Sequence, residues 1–100
     1  MKVYIAGSIT NNPNYKEEFN QAEEVLKQYG FIVLNPIKEE GFTYKEYIDM
    51  GLNELMCCDA ICLLNEHYIS KGACLEMKYA GTVGMKIIYF DDLVSGVYKC

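Results

Sequence analysis

Apolar residues along the chain fall into short runs separated by longer stretches with helical spacing. Four segments of five or six residues are apolar over most of their length and do not alternate with polar residues. Such runs are typical of strands buried on both faces of a parallel sheet. The predicted strands are residues 2–6, 31–35, 59–64 and 86–90.

Two helices are predicted between the first three strands. In the first, aromatic and aliphatic residues recur at helical spacing, at Tyr15, Phe19, Ala22, Leu26 and Tyr29. Gly30 stands where a helix usually ends. The second begins at Thr43 and Glu46, which form the Thr-x-x-Glu pattern of a capping box, and it continues to about Cys57.

A third helix is predicted from about Lys71 to Gly84, with Ser70 as its N-cap. The residues expected to face the sheet are Ala73, Met77, Ala80 and Gly84. The tail after Phe90 is expected to form a short extra strand or a helical turn. Strands and helices therefore alternate, which predicts an α/β domain with a parallel sheet covered by helices on both faces.

Length and charge limit the classes of partner. One hundred residues suffice for one domain, so residues 1–100 are expected to form a single unit. The net charge of −5, without a stripe of Lys or Arg, argues against binding to polymeric nucleic acid. No apolar run approaches the roughly 20 residues of a membrane span, and no signal peptide is visible. We therefore expect a cytoplasmic protein without a membrane partner.

The cysteine pattern gives no support for a metal site. The five cysteines are Cys57, Cys58, Cys62, Cys74 and Cys100. They include no C-x-x-C pair, and His67 is the single histidine, so the spacing expected of a zinc site is missing. Reduced thiols in a cytoplasmic protein are the simpler interpretation, and no metal and no cofactor are predicted.

The residues after each strand are the candidates for function, because parallel sheets bind ligands at the carboxyl ends of their strands. These segments are 7–12, 35–41 and 65–72. After the first strand, Gly7 permits a tight turn, and hydroxyl and amide groups follow at Ser8, Thr10, Asn11 and Asn12. This segment is either a ligand-binding loop or an ordinary turn rich in capping residues.

Glu76 is unusual within the third helix. Positions three and four residues away on either side hold no Lys or Arg; they are Gly72, Ala73, Tyr79 and Ala80. Glu76 borders the stripe expected to pack on the sheet, where a carboxylate is costly unless it is hydrogen-bonded or used. The alternative is an ordinary solvated glutamate.

The start of the same helix, at Ser70, Lys71 and Gly72, could hold an anion or could simply be capped by Ser70.

Four segments together resemble the nucleoside 2-deoxyribosyltransferase-like superfamily, in particular its short, often phage-encoded members. They are KVYIAGSIT, VLNP, CDAICLL and SKGACLEMKYAGTVGMKII, in the same order and spacing, over about residues 2–90. The resemblance implies a flavodoxin-like, Rossmann-like three-layer sandwich with four or five parallel strands. It also implies a homo-oligomer whose subunits complete each other's sites.

Enzymes of this superfamily cleave the N-glycosidic bond of deoxynucleosides or their 5′-monophosphates. The resemblance makes Glu76 the nucleophile and Tyr4 the residue that orients it. It also implies a set of ligand-binding residues: Gly7, Ser8, Ile9, Thr10, Asn11, Ser70, Gly72 and Ala73. Ser8 and Ser70 resemble the phosphate-contacting serines of the 5′-phosphate N-hydrolases, which favours a phosphorylated ligand.

The chain departs from the superfamily at Gly51, where the enzymes usually carry an Asp that contacts the sugar. Asp49 lies about 200° away around the helix and is not expected to replace it. Two functions stay open. The protein either cleaves or transfers at the N-glycosidic bond of a nucleotide, or it binds a nucleotide-derived signal without processing it. In the second case a phage-encoded protein would sequester a defence signal in the host cytoplasm.

Overall fold

The computed structural model describes residues 1–8, 13–36, 41–64 and 71–96 of the chain. Strands and helices alternate along these ranges, as predicted. The elements are β1 (Lys2–Ala6), α1 (Tyr15–Gln28), β2 (Ile32–Leu34), α2 (Tyr44–Met56), β3 (Ala60–Leu63), α3 (Lys71–Val83), β4 (Lys86–Tyr89) and α4 (Phe90–Ser95).

The strands form one parallel sheet of four strands in the order β2-β1-β3-β4. Tyr4 in the middle of β1 is paired with Leu34 of β2 on one side and Ile61 of β3 on the other. The chain runs outward from β1 to β2 and then returns to the other side of β1, so the strand order reverses between β1 and β3. The carboxyl ends of these two strands are where a ligand is expected in such a sheet.

Successive side chains of a strand point to opposite faces of the sheet, and this separates two apolar layers. Val3 and Ile5 of β1 lie in the layer beneath α1 and α4. That layer also contains Phe19, Ala22, Leu26, Ala60, Cys62, Leu64, Ile88 and Leu93. Tyr4 and Ala6 lie in the layer beneath α2 and α3. This second layer also contains Leu55, Ile61, Leu63, Ala73 and Ala80. The predicted three-layer sandwich is therefore confirmed.

Helix ends are set largely by local chemistry. At the start of α2, Thr43 Oγ1 accepts a hydrogen bond from the backbone N–H of Glu46, and Glu46 Oε1 accepts one from the N–H of Thr43. This is the predicted capping box. Gly30 follows α1 with a φ of 87°, a left-handed conformation that glycine adopts without strain.

The prediction that Gly84 packs on the sheet is wrong. Helix α3 ends at Val83, and Gly84 is exposed with a φ of 79°. The residue turns the chain out of the helix toward β4, a role that excludes it from the packing stripe. The tail forms the short helix α4, whose Leu93 is buried in the first layer.

The later strands are shorter than predicted. Asn35, expected in the second strand, lies just beyond β2, and its amide Nδ2 donates to Asn20 Oδ1 and Glu23 Oε1 of α1. Phe90, expected in the fourth strand, begins α4. Side-chain hydrogen bonding in one case and helix formation in the other therefore end the strands earlier than the apolar pattern indicates.

Three features of the described ranges bear on the composition-based predictions. None of their helices is both long enough and apolar enough to cross a membrane. Within the same ranges, no three His, Cys, Asp or Glu residues gather as metal ligands would. Cys57, Cys58, Cys62 and Cys74 are not joined in disulfide bonds.

Removal of the capping box should destabilise the fold through α2. Thr43→Ala leaves the backbone N–H of Glu46 without its side-chain acceptor, and we expect the free energy of unfolding to fall by about 1 kcal/mol. Urea denaturation followed by circular dichroism measures this change. Thr82→Ala is the control, because its hydroxyl donates to the Lys78 carbonyl within α3 and caps nothing. Equal losses in the two variants would contradict the assignment.

Candidate functional site

A hydroxyl and a carboxyl group meet between the sheet and α3. Tyr4 Oη donates a hydrogen bond of 2.5 Å to Glu76 Oε2, across 72 residues of sequence. Tyr4 is 2% exposed and Glu76 is 8% exposed. These are the residues that the family resemblance implies as nucleophile and orienting residue, and they are in direct contact. Their roles stay a prediction.

The local sequence explains why Glu76 points inward. Along α3 the buried positions are Ala73, Glu76 and Ala80, which recur every three or four residues and therefore share one face. Glu76 is predicted at the border of this stripe, whereas it lies within it. The two alanines allow α3 to approach the sheet closely, and the hydroxyl of Tyr4 then satisfies a carboxyl that burial would otherwise leave at a high energetic cost.

Burial dominates the electrostatics of this pair. It raises the pKa of Glu76 from the ordinary 4.5 to about 7, while the hydrogen bond from Tyr4 acts in the opposite direction. Burial also raises the pKa of Tyr4, and the neighbouring charge of Glu76 raises it further. Near neutral pH, Tyr4 is therefore protonated and Glu76 populates both its neutral and ionised forms. A carboxyl with such a pKa can act as a nucleophile or exchange a proton.

Helix α2 packs against the pair from another side, through Gly51. A Cβ atom at position 51 would lie 2.6 Å from Glu76 Oε2 and 2.8 Å from Tyr4 Oη. The position where the family resemblance implies an Asp therefore lies directly against the pair, with only a hydrogen atom in place of a side chain. Asp49 is exposed and forms an ion pair with Lys45.

The carboxyl ends of β1 and β3 lie close together beside this pair. The N–H of Leu64 donates to the Ala6 carbonyl, and a Cβ on Gly7 would lie 3.1 Å from the Leu64 side chain. Glycine at position 7 therefore allows the two strand ends to approach. Ser8 follows and is buried, with 5% exposure.

The remaining predicted ligand-binding residues divide into two groups. Gly72 is partly buried and Ala73 is buried, both in the first turn of α3. Ile9, Thr10, Asn11 and Ser70 lie outside the described residues. The structure therefore brings Tyr4, Glu76 and Gly51 together, with Gly7 and Ser8 directly after β1 and Gly72 and Ala73 in the first turn of α3.

The steric role of Gly51 is not predicted by the sequence, where the position is notable only because the family resemblance implies an Asp there. A glycine inside a helix costs about 1 kcal/mol relative to alanine, and this is the signal that could have indicated a close approach.

A second feature also went unpredicted. A shallow depression in the opposite layer is lined by Glu18, Gln21, Leu64 and Phe90, and the sheet separates it from the Tyr4–Glu76 pair.

A family model described as a domain of unknown function, DUF4406, matches residues 1–89. The chain belongs to the DUF4406 family. A comparison of this DUF4406 chain with curated protein sequences finds no match.

Two solved structures have a similar fold. A 2-deoxyribosyltransferase from the psychrotolerant bacterium Bacillus psychrosaccharolyticus is 19% identical, with a TM-score of 0.68 over 89% of this chain and 71% of that chain. A 2-deoxyribosyltransferase from Leishmania mexicana is 22% identical, with a TM-score of 0.69 over 88% and 62%, respectively. The DUF4406 chain thus spans less than two thirds of the Leishmania protein. The predicted 2-deoxyribosyltransferase-like fold is confirmed.

The buried carboxyl should make the stability of this DUF4406 protein fall as pH rises. Between pH 4.5 and 7 the folded protein holds the Glu76 proton more tightly than the unfolded chain does, so ionisation favours unfolding. This pKa difference corresponds to roughly 3 kcal/mol of unfolding free energy, which is fully present below pH 4.5 and is lost as pH rises through about 7. Denaturation of wild type and Glu76→Gln from pH 4 to 8 measures it, because the variant lacks this titration.

Glu23→Gln provides the control for that experiment. Hydrogen bonding to Lys27 lowers the pKa of Glu23, so its contribution to stability is constant above pH 4.5 and is lost only as pH falls below that value. Glu23→Gln should therefore keep the wild-type pH dependence between pH 4.5 and 8, whereas Glu76→Gln should lose it. Identical pH dependence in wild type and Glu76→Gln would contradict the assigned burial of Glu76.

The hydrogen bond itself can be tested through Tyr4→Phe. Because the Tyr4 hydroxyl lowers the pKa of Glu76, its removal should raise the titration midpoint of the Glu76 carboxyl above about 7. Carbon-13 NMR of labelled glutamate side chains measures the midpoint directly. Tyr44→Phe is the matched control, since Tyr44 is 57% exposed on α2. A midpoint that stays the same or falls in Tyr4→Phe would contradict the contact.

Proposed function

We propose that this protein binds a nucleoside 5′-phosphate and cleaves or transfers at its N-glycosidic bond, with Glu76 as the nucleophile. The observation that carries the proposal is the buried hydrogen bond between Tyr4 and Glu76. The fold supports it, since it is shared with two 2-deoxyribosyltransferases, one of which is described as a biocatalyst for nucleoside synthesis.

The chemistry follows from the arrangement of the carboxyl oxygens. Tyr4 donates a hydrogen bond to Oε2, and Oε1 would attack the anomeric carbon. As the C–O bond forms, the C–N bond breaks, and its electron pair leaves with the base, which takes a proton from solvent. Water or a second base then attacks the same carbon, loses a proton to solvent and releases the Glu76 carboxylate. A carboxylate in a buried site also stabilises the oxocarbenium-like transition state.

The phosphate would bind at the strand-end edge. Ser8 follows β1, and α3 begins at Lys71, five residues before Glu76 or about 7.5 Å along the helix axis. Backbone N–H groups at a helix start attract anions, and Ser70 would add a hydroxyl there. The 5′-phosphate would then lie at the start of α3 with the sugar one to two turns further along. Ile9, Thr10, Asn11, Gly72 and Ala73 would line the ligand.

A second candidate function is binding without cleavage, and Gly51 is the observation that favours it. With no side chain at this position, the carboxylate that supports catalysis in related enzymes is missing beside the pair. The same pocket would then hold a nucleotide or a nucleotide-derived signal intact. A phage-encoded member of this kind would sequester a defence signal in the host cytoplasm. The homo-oligomer with shared sites also stays a prediction.

Incubation with a panel of deoxynucleosides, their 5′-monophosphates, and cyclic or ADP-ribose-type signals distinguishes these functions. We expect chromatography to show release of free base from a monophosphate and a loss of at least about a thousand-fold in rate for Glu76→Gln. Asp49→Asn, which alters an exposed carboxylate two residues from Gly51, should retain the wild-type rate.

Recovery of an intact ligand after heat denaturation, with binding that survives Glu76→Gln, would reject the enzyme in favour of the binding protein. Base release that Glu76→Gln does not diminish would reject Glu76 as the nucleophile.

A further inference from the structure

Gly51 is a point of unusually close approach between α2 and the Tyr4–Glu76 pair. Gly51 is buried, and a Cβ placed on it would lie 2.6 Å from Glu76 Oε2, 2.8 Å from Tyr4 Oη and 3.9 Å from Glu76 Cδ. The first two distances are shorter than the ordinary contact between carbon and oxygen, so no side chain fits while the pair keeps this geometry. Gly81 of α3 differs, since a Cβ there would meet nothing within 4 Å.

The three neighbours differ in how easily they can move. Tyr4 lies on a strand paired on both sides, and its ring is almost fully buried. Helix α2 is fixed by its capping box and by the fully buried Leu55 one turn beyond Gly51. The Glu76 carboxyl is the end of a flexible side chain. A side chain at position 51 would therefore displace the Glu76 carboxyl first and break its hydrogen bond to Tyr4.

We propose that Gly51 is a positioning residue of this site: the absence of a side chain allows α2 to lie against the pair and holds Tyr4 and Glu76 in hydrogen-bonding contact. The effect on the geometry is a property of the fold alone. Its consequence for catalysis rests on the proposed function, in which Tyr4 must orient the Glu76 carboxylate.

An aspartate at position 51 would meet the same steric obstacle as any other side chain there. Its Cβ meets the same two oxygen atoms, and its carboxylate would stand beside that of Glu76, where like charges oppose ionisation of both. In this chain, Gly51→Asp therefore removes the hydrogen-bonded pair and does not complete the site. The residue typical of related enzymes should lower any base-release activity at least tenfold here, through kcat more than KM.

Carbon-13 NMR titration of labelled glutamate in wild type, Gly51→Ala and Gly81→Ala tests the geometry without any substrate. In Gly51→Ala the displaced carboxyl loses the burial that dominates its titration, so its midpoint should fall by at least one pH unit from about 7. The downfield hydroxyl proton of Tyr4 should also disappear. Gly81→Ala should retain both signals. A folded Gly51→Ala with the wild-type midpoint and hydroxyl signal would overturn the proposal.

A double variant provides a second test of the steric conflict in case Gly51→Ala alone does not fold. Tyr4→Phe with Glu76→Ala removes both oxygen atoms that a Cβ would meet. Adding Gly51→Ala to this background should leave the melting temperature unchanged or raise it, because alanine favours a helix over glycine. If the same substitution still lowers the melting temperature or prevents folding, the obstacle lies elsewhere and the proposal is wrong.

The two proposals fail separately. If wild type releases no base from any member of the panel while Gly51→Ala shifts the Glu76 titration, the proposed reaction fails and the positioning role of Gly51 stands. If wild type releases base and Gly51→Ala or Gly51→Asp does so at the wild-type rate, the reaction stands and the positioning role is overturned.

Discussion

The packing of the surrounding helices and strands depends on the buried hydrogen bond between Tyr4 and Glu76. A buried carboxyl is unfavourable unless a polar group meets it, and here that group comes from the central strand β1. The alternation of side chains along β1 directs Tyr4 toward α2 and α3 while Val3 and Ile5 face the other layer. Without a hydroxyl at position 4, the inward face of α3 would have to carry an apolar residue at position 76.

The two helices over this face are adapted to the pair in different ways. Helix α3 has alanines on both sides of Glu76 along its buried stripe, so the backbone lies close to the sheet and the carboxyl reaches Tyr4. Helix α2 has a glycine where it meets the same two oxygen atoms. The pair thus costs stability twice, through the buried carboxyl and through a glycine inside a helix. Such costs concentrate at functional sites, where a polar group is kept for its chemistry.

Much of this arrangement can be predicted from the sequence, because it depends on local pattern. The apolar runs predict the four strands, and Thr43 with Glu46 predicts the start of α2. The absence of Lys and Arg around Glu76 indicates a carboxyl without a partner on its own helix. The prediction failed at Gly84, because a glycine at helical spacing can equally end the helix in a left-handed conformation. The steric role of Gly51 could not be predicted, since it depends on how closely α2 approaches two residues distant in sequence.

The protonation state of Glu76 connects the two candidate functions. An ionised carboxylate beside Tyr4 can attack the anomeric carbon, whereas a neutral carboxyl can donate a hydrogen bond to a bound ligand and leave it intact. With a pKa of about 7, both forms are present near neutral pH, and a small change in the surroundings selects between them. A second carboxylate at position 51 would favour the neutral form through like-charge repulsion. Gly51 therefore has two opposite consequences: it keeps a like charge away from Glu76, which favours the ionised form that the proposed reaction needs, and it leaves the site without the second carboxylate whose absence favours binding without cleavage.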